Sequence, residues 1–240
     1  MTVFKSSKKL KAEARASLLG KLGVPVLSVS LYFLITSVLA ELIAFSGTDS
    51  RLLALLLSVV VFFVVNVFSK MLRIGLSCIF LKLHLGERAV IGDLLSAFRG
   101  SSDTAVKLSV ILTLPELLSM LPVLIAVSLI TAWDRPVYTV LAIVLFLAGA
   151  AGSAFFRIVF ALCPYLFLDF PSLSARALVR GGARMIRGHK IRLFRLYLSF
   201  LPQYVLTLLS LGIAGLWVMS YTEAAAAAFY RDLAAALGRR

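Results

Sequence analysis

Four ionisable side chains stand within or at the margins of long apolar runs: Glu41, Glu116, Arg157 and Glu223. An ion in hydrocarbon costs at least ~2.5 kcal/mol on insertion scales, so such groups normally have partners. Counting inward from predicted span ends at Val110, Cys163 and Phe229, at ~1.5 Å of rise per residue, places Glu116, Arg157 and Glu223 each ~9 Å deep from the same face. Three charges at one depth suit an ion or proton relay, or a site for an anionic headgroup. The alternative is a structural ion pair that fixes helix packing. Small residues at 148–154 and at 224–228 let helix backbones approach closely. Each run borders one of the charges, so Arg157 is predicted to pair with Glu223, with Glu116 as the next-best partner.

A second constellation is purely cationic. At ~100° per residue, Arg176, Arg180, Arg184 and Arg187 fall within an arc of roughly 80°, with Leu178 and Met185 opposite. This predicts a basic amphipathic helix, continued by Lys190, whose apolar side rests among headgroups. Contact with anionic phospholipid headgroups would contribute about 1 kcal/mol per cation; the alternative is that the cations only set topology. Residues 1–21 repeat the pattern, with Lys5, Lys8, Lys9, Lys11, Arg15 and Lys21 around Leu10, Ala14, Leu18 and Leu22. They predict a short helix lying on an anionic leaflet. No RNA-recognition motif accompanies these cations and few aromatics are interleaved with them, so nucleic acid is not an expected partner.

Familiar catalytic patterns are missing from the sequence. His84 and His189 sit in no HExxH-like motif, and there is no GxSxG, phosphate loop or dinucleotide fingerprint. Cys78 and Cys163 lack the short spacing of a zinc site. The expectation is therefore no catalytic residue, no metal and no cofactor.

The elements that must position these groups follow from hydropathy. The chain is 61% hydrophobic and 15% charged, with a mean hydropathy of +1.00, beyond what a water-soluble core absorbs. A span needs ~20 apolar residues to cross ~30 Å of hydrocarbon. Six runs qualify: 22–45, 52–74, 110–130, 137–163, 193–211 and 213–229, the last being the shortest. Residues 70–107 mix charge with apolar residues and read as interfacial, with Lys70 and Arg73 snorkelling from the end of the second span. A cleaved signal peptide is disfavoured, because the 22–45 run is too long and lacks a small-residue cleavage site. The expected fold is all-α, a polytopic transmembrane helical bundle of about six spans with interfacial amphipathic helices, forming one integral membrane domain over residues 1–240. With a cytoplasmic N-terminus, 22 of the 25 Lys and Arg lie inside and only Arg51 and Arg135 face out. That asymmetry orients the bundle with both termini in the cytoplasm.

The stretch from Gly188 to Tyr230 opens on cations, runs apolar, turns at Gly212 and Gly215 and runs apolar again. It resembles the C-terminal signature of domain of unknown function 975, a family of bacterial multi-pass membrane proteins. The residues that carry the resemblance are Gly188, Lys190, Leu193, Phe194, Leu198, Ser199, Phe200, Gly212, Ile213, Leu216, Trp217, Tyr221, Phe229 and Tyr230. The Lys-rich N-terminal segment resembles the same family, whose members usually carry a cation at the position of Arg157. Pro202 and Gln203 stand where relatives usually have Gly-Trp, Ser220 where they have Pro, and Gly181 and Gly182 where a Ser is common. The resemblance implies the bacterial cytoplasmic membrane and no particular activity.

Two function classes remain. The first is a non-catalytic membrane component that organises anionic lipid, a protein partner or a homo-oligomer. The second is a small transporter or channel, favoured by the three charges at one depth and by Pro115, Pro122 and Pro202 in spans three and five. A lipid-modifying enzyme is a distant third.

Overall fold

A computed structural model describes residues 4–44, 51–99, 101–132 and 136–238. Among the described residues every regular element is a helix: α1 (Ser7–Leu18), α2 (Gly23–Ala44), α3 (Arg51–His84), a 3₁₀ segment (Ile91–Phe98), α4 (Ser102–Ala132), α5 (Pro136–Phe160), α6 (Cys163–Asp169), α7 (Ala175–Ile186), α8 (Lys190–Leu198), α9 (Leu201–Leu209) and α10 (Gly215–Leu237). Four stretches are long and apolar enough to cross a membrane: Gly23–Glu41, Val59–His84, Ser102–Val123 and Pro136–Asp169. The intervals between the first and second and between the third and fourth predicted spans fall largely outside the described residues.

The second predicted span, 52–74, is only the first part of α3, whose 34 residues extend ~51 Å at ~1.5 Å per residue. That exceeds the ~30 Å of hydrocarbon. The surplus end is wrapped by protein: Leu72, Leu76, Ile79 and Phe80 are fully buried. α4 begins at Ser102, earlier than 110, and continues through Pro115 and Pro122 without ending.

The predicted fifth span, 193–211, divides into α8 and α9. The break follows from chemistry: Pro202 lacks the N–H that a continuous helix would need and sits in the first turn of a new one instead. Each piece has nine residues, ~13.5 Å at ~1.5 Å per residue, too short to cross alone. The glycines of the signature act as helix stops. Gly188 (φ 84°) and Gly212 (φ 92°) occupy the left-handed region just beyond α7 and α9, where a side chain is disfavoured.

The predicted sixth span, 213–229, falls in α10 apart from its first two residues, and this helix is the centre of the fold. Thr222 to Tyr230 are buried without interruption. α1 runs antiparallel beside it: the Lys5 amide donates to Asp232 Oδ2 at 3.3 Å, and the Tyr221 hydroxyl donates to the Lys11 carbonyl at 3.1 Å. Leu10 and Ala14 are fully buried and Leu18 nearly so. The expectation that α1 lies with its apolar side in an anionic leaflet is therefore corrected: that side is spent on the protein core. α8 and α9 also run antiparallel to α10, from Arg192 beside Asp232 to Phe200 beside Tyr221.

Candidate functional site

The long helix α3 presents two cations one turn apart. Lys70 Nζ reaches Glu116 Oε2 of α4 at 2.7 Å, and Arg73 Nη2 reaches Glu223 Oε1 of α10 at 3.1 Å. Arg157 Nε of α5 lies 3.9 Å from Glu116 Oε1, so the one carboxylate faces two cations. Tyr32 of α2 is within electrostatic reach of Arg73, Glu223, Arg157 and Glu116. The three charges predicted at one depth thus belong to one neighbourhood. Five charged groups from four helices meet there, carrying a net charge of +1 when all are ionised.

The predicted partnership does not form. Glu223 is held by Arg73, and its own backbone carbonyl accepts from the Tyr165 hydroxyl at 3.5 Å. Arg157 turns to Glu116 instead. The reason is the choice of neighbour: α5 packs on α4 through Gly149, where a Cβ would meet Val123 Cγ2 at 2.6 Å and the Ser119 carbonyl oxygen at 2.8 Å. The 224–228 run of α10 is enclosed with α1 and α3 in another part of the core. Lys70 and Arg73, read from sequence as snorkelling, turn inward. Sequence alone shows them only as two cations three residues apart, on one face of a helix, without indicating which carboxylates they meet. Glu41 is exposed at the end of its span, apart from this group.

Burial separates the members. The Glu223 side chain is 8% exposed, while that of Arg157 is 68% exposed. Removing the partner of a buried ion leaves an uncompensated charge, so Arg73–Glu223 is the packing lock. Arg157 is the member accessible from outside the fold.

The basic face is built differently. Ser174 caps α7 by accepting from the Ala177 amide at 3.4 Å. Leu178 and Ile186 are fully buried, and Met185 packs against the core. The apolar side of α7 is thus docked on protein and does not rest among headgroups, which corrects the expectation. Gly182 makes the docking possible, since a Cβ there would lie 2.7 Å from Cys163 Sγ on α6; a serine would collide at this point. Arg176, Arg180, Arg184 and Arg187 all point outward and exposed. No ion pair joins them to a carboxylate among the described residues.

Signature residues fasten the C-terminal elements to α1 and α5. Lys190 places its ammonium 4.7 Å from the Phe155 ring centroid. Lys11 donates to the Ser199 carbonyl at 2.6 Å and stands 4.2 Å above the Phe200 ring, which meets Tyr221 edge-on at 5.0 Å. Burial holds the Lys11 ammonium below the usual lysine range. Arg192 bonds Asp232 and lies 4.9 Å from the Phe229 ring. Tyr230 stacks on Tyr165 at 5.2 Å and donates to Asp169 Oδ2 at 2.5 Å. Burial first, then that hydrogen bond, raises the Tyr230 hydroxyl well above the ordinary tyrosine range. Phe194 and Trp217 are exposed. His189 packs its ring 4.6 Å from Phe4 at the start of α8. Sequence reading missed Lys11, Arg192 and Asp232 as partners, because contacts between residues about 190 or 40 apart leave no local pattern.

The chain belongs to the family described as Protein of unknown function (DUF975), which matches residues 1–236. No curated protein and no solved structure matches it.

Proposed function

We propose that this member of the family is a non-catalytic component of the bacterial cytoplasmic membrane that gathers anionic phospholipid at its cytoplasmic face. The carrying observation is the contrast in pairing. Glu116 and Glu223 already hold cations at 2.7 and 3.1 Å, whereas the four α7 arginines are exposed on a helix fixed to the bundle. Unpaired guanidiniums on a docked helix suit phosphate oxygens, because the planar fork of each presents two donors at once.

The same reading gives a topology of four spans. α1 carries Lys8, Lys9, Lys11 and Arg15 along the flank of α10, and those cations are too costly to place in hydrocarbon. The adjoining part of α10 then lies at the interface, and the α9–α10 turn dips into the near leaflet without crossing. Its apolar residues support this: Leu211 is 94% exposed and Leu208 79%. Four crossings, like six, return both termini to the cytoplasm, so the orientation set by 22 of 25 cations is unchanged.

Titration of purified protein in neutral detergent with phosphatidylglycerol and with phosphatidylcholine, read by native mass spectrometry, tests the function. The wild type is expected to retain phosphatidylglycerol selectively, and Arg176, Arg180, Arg184 and Arg187 changed together to Gln to lose that selectivity while staying folded. Equal retention by wild type and variant would leave the stripe as a topology signal only. Labelling of a Leu211→Cys variant from the outer face would restore six spans, and labelling at position 180 from that face would invert the orientation. The transport reading rests on one observation, the Glu116 carboxylate shared by Lys70 and Arg157; ion flux in proteoliposomes abolished by Glu116→Gln would put it first.

A further inference from the structure

Between α1 and the α9–α10 hairpin lies a cavity of about 300 Å³, lined by Arg15, Leu18, Leu19, Leu22, Gln203, Trp217, Val218 and Tyr221. We infer that it binds a single anionic amphiphile, an acyl chain ending in a phosphate or carboxylate, at a site separate from the α7 arginines.

Three features argue for this ligand class. The volume lies at the lower end of the range for small-molecule pockets, and the wall is aliphatic and aromatic apart from Arg15, Gln203, the Trp217 indole N–H and the tyrosine hydroxyl, as suits a hydrocarbon chain with a polar end. The charge at its edge is unspent: the Arg15 guanidinium stands 6.0 Å from the Tyr221 ring centroid and has no carboxylate partner among the described residues. Gln203 lines the same cavity and adds a polar side chain to its wall. An unpaired cation beside an apolar wall points to a ligand having both charge and chain.

The position fits as well. The cavity sits where cationic α1 meets the apolar end of the hairpin, with Leu19 69% and Leu22 46% exposed at its rim. A lipid could therefore enter from the side, chain first, and leave its anion at Arg15. Tyr221 is held in place by donating to the Lys11 carbonyl at 3.1 Å, so the aromatic floor under the guanidinium is fixed before binding.

Trp217 offers a direct readout once Trp133 is changed to Phe. Protein in neutral detergent would be titrated with brominated phosphatidylglycerol, brominated phosphatidylcholine and a brominated fatty acid, following Trp217 quenching. The inference expects saturable quenching by phosphatidylglycerol, the fatty acid or both, and weak, unsaturating quenching by phosphatidylcholine; which anion saturates identifies the source of the ligand. Arg15→Gln should weaken binding about tenfold, the order expected for loss of one charge-assisted contact, and Arg15→Lys should restore most of it. Val218→Phe should fill the cavity and abolish saturation. Changing the four α7 arginines to Gln should leave this quenching intact, so failure here and failure of the α7 reading are separable. Equal quenching by all three lipids, or quenching unaffected by Arg15→Gln and Val218→Phe, would overturn the site.

Discussion

Helices α5 and α10 each carry a run of small residues next to a charge, yet the two runs meet different fates. In α10, Ala224 to Ala228 are no more than 5% exposed, enclosed with α1 and α3, and the adjacent Glu223 is buried with them. In α5, Ala148, Ala150, Ala151 and Ala154 are exposed, and only Gly149 and Ala142 are buried. α5 packs on α4 with one stripe and shows the rest to its surroundings. Small residues permit close approach, but whether approach happens depends on how many neighbours surround the helix.

The sharpest way to break this comparison is to enlarge equivalent alanines. Ala227→Leu in α10 should destabilise by about 3 kcal/mol, at the upper end of overpacking costs, or prevent folding. Ala150→Leu in α5 should stay within about 0.5 kcal/mol, as exposed substitutions do. Thermal unfolding in detergent measures both, and equal losses would mean that α5 is also enclosed, for instance by a second copy of the chain.

The charges beside the runs give the next largest effect. Glu223→Gln should cost about 2 kcal/mol, below the ~3–5 of a fully buried pair, because the Arg73 side chain is 42% exposed and partly screened. Adding Arg73→Gln should recover part of the loss, whereas adding Arg157→Gln should give simple additivity. Coupling of 157 with 223 in a double-mutant cycle would reverse the pairing assigned here.

Within α5 itself the contrast can be refined. Gly149→Ala should lose about 1 kcal/mol, because the new Cβ meets Val123 and the Ser119 carbonyl under 3 Å away. Gly152→Ala, whose nearest contact would be at 3.5 Å, should be neutral within about 0.5 kcal/mol. If the two behave alike, the α4–α5 contact is looser than drawn.

The smallest effect is a pH dependence confined to the α10 side. The folded state raises the Tyr230 hydroxyl above the ~10 of an unfolded chain, so above that pH the unfolded state releases a proton that the folded state keeps. Stability contributed by this group is fully present below pH ~10 and declines as pH rises from there toward the raised folded value. Tyr230→Phe should flatten that alkaline slope relative to wild type; an unchanged slope would show that Tyr230 does not hold its proton for Asp169.

Much was legible because it depends on local composition. Apolar runs longer than a bilayer, cations gathered between them, and Gly188 and Gly212 at helix ends speak of membrane helices and their punctuation. Glu116, Arg157 and Glu223 were legible as expensive charges by their setting alone. Their partners were not, because Lys70 and Arg73 are 46 and 150 residues away from the carboxylates they hold, and hydropathy carries no information on which face meets which. For the same reason α7 looked free to lie among headgroups until Leu178 and Ile186 proved to be buried in protein.

The sequence by itself determined the helical class, the family and the gathering of cations between apolar runs, all of which follow from residue type and spacing along the chain. Only the tertiary structure decided that α10 is enclosed and not simply threaded, that α1 spends its apolar face on it, and that Glu223 belongs to Arg73. Those outcomes rest on competition among faces of similar hydrophobicity, and close packing of specific shapes settles that competition where composition leaves it degenerate.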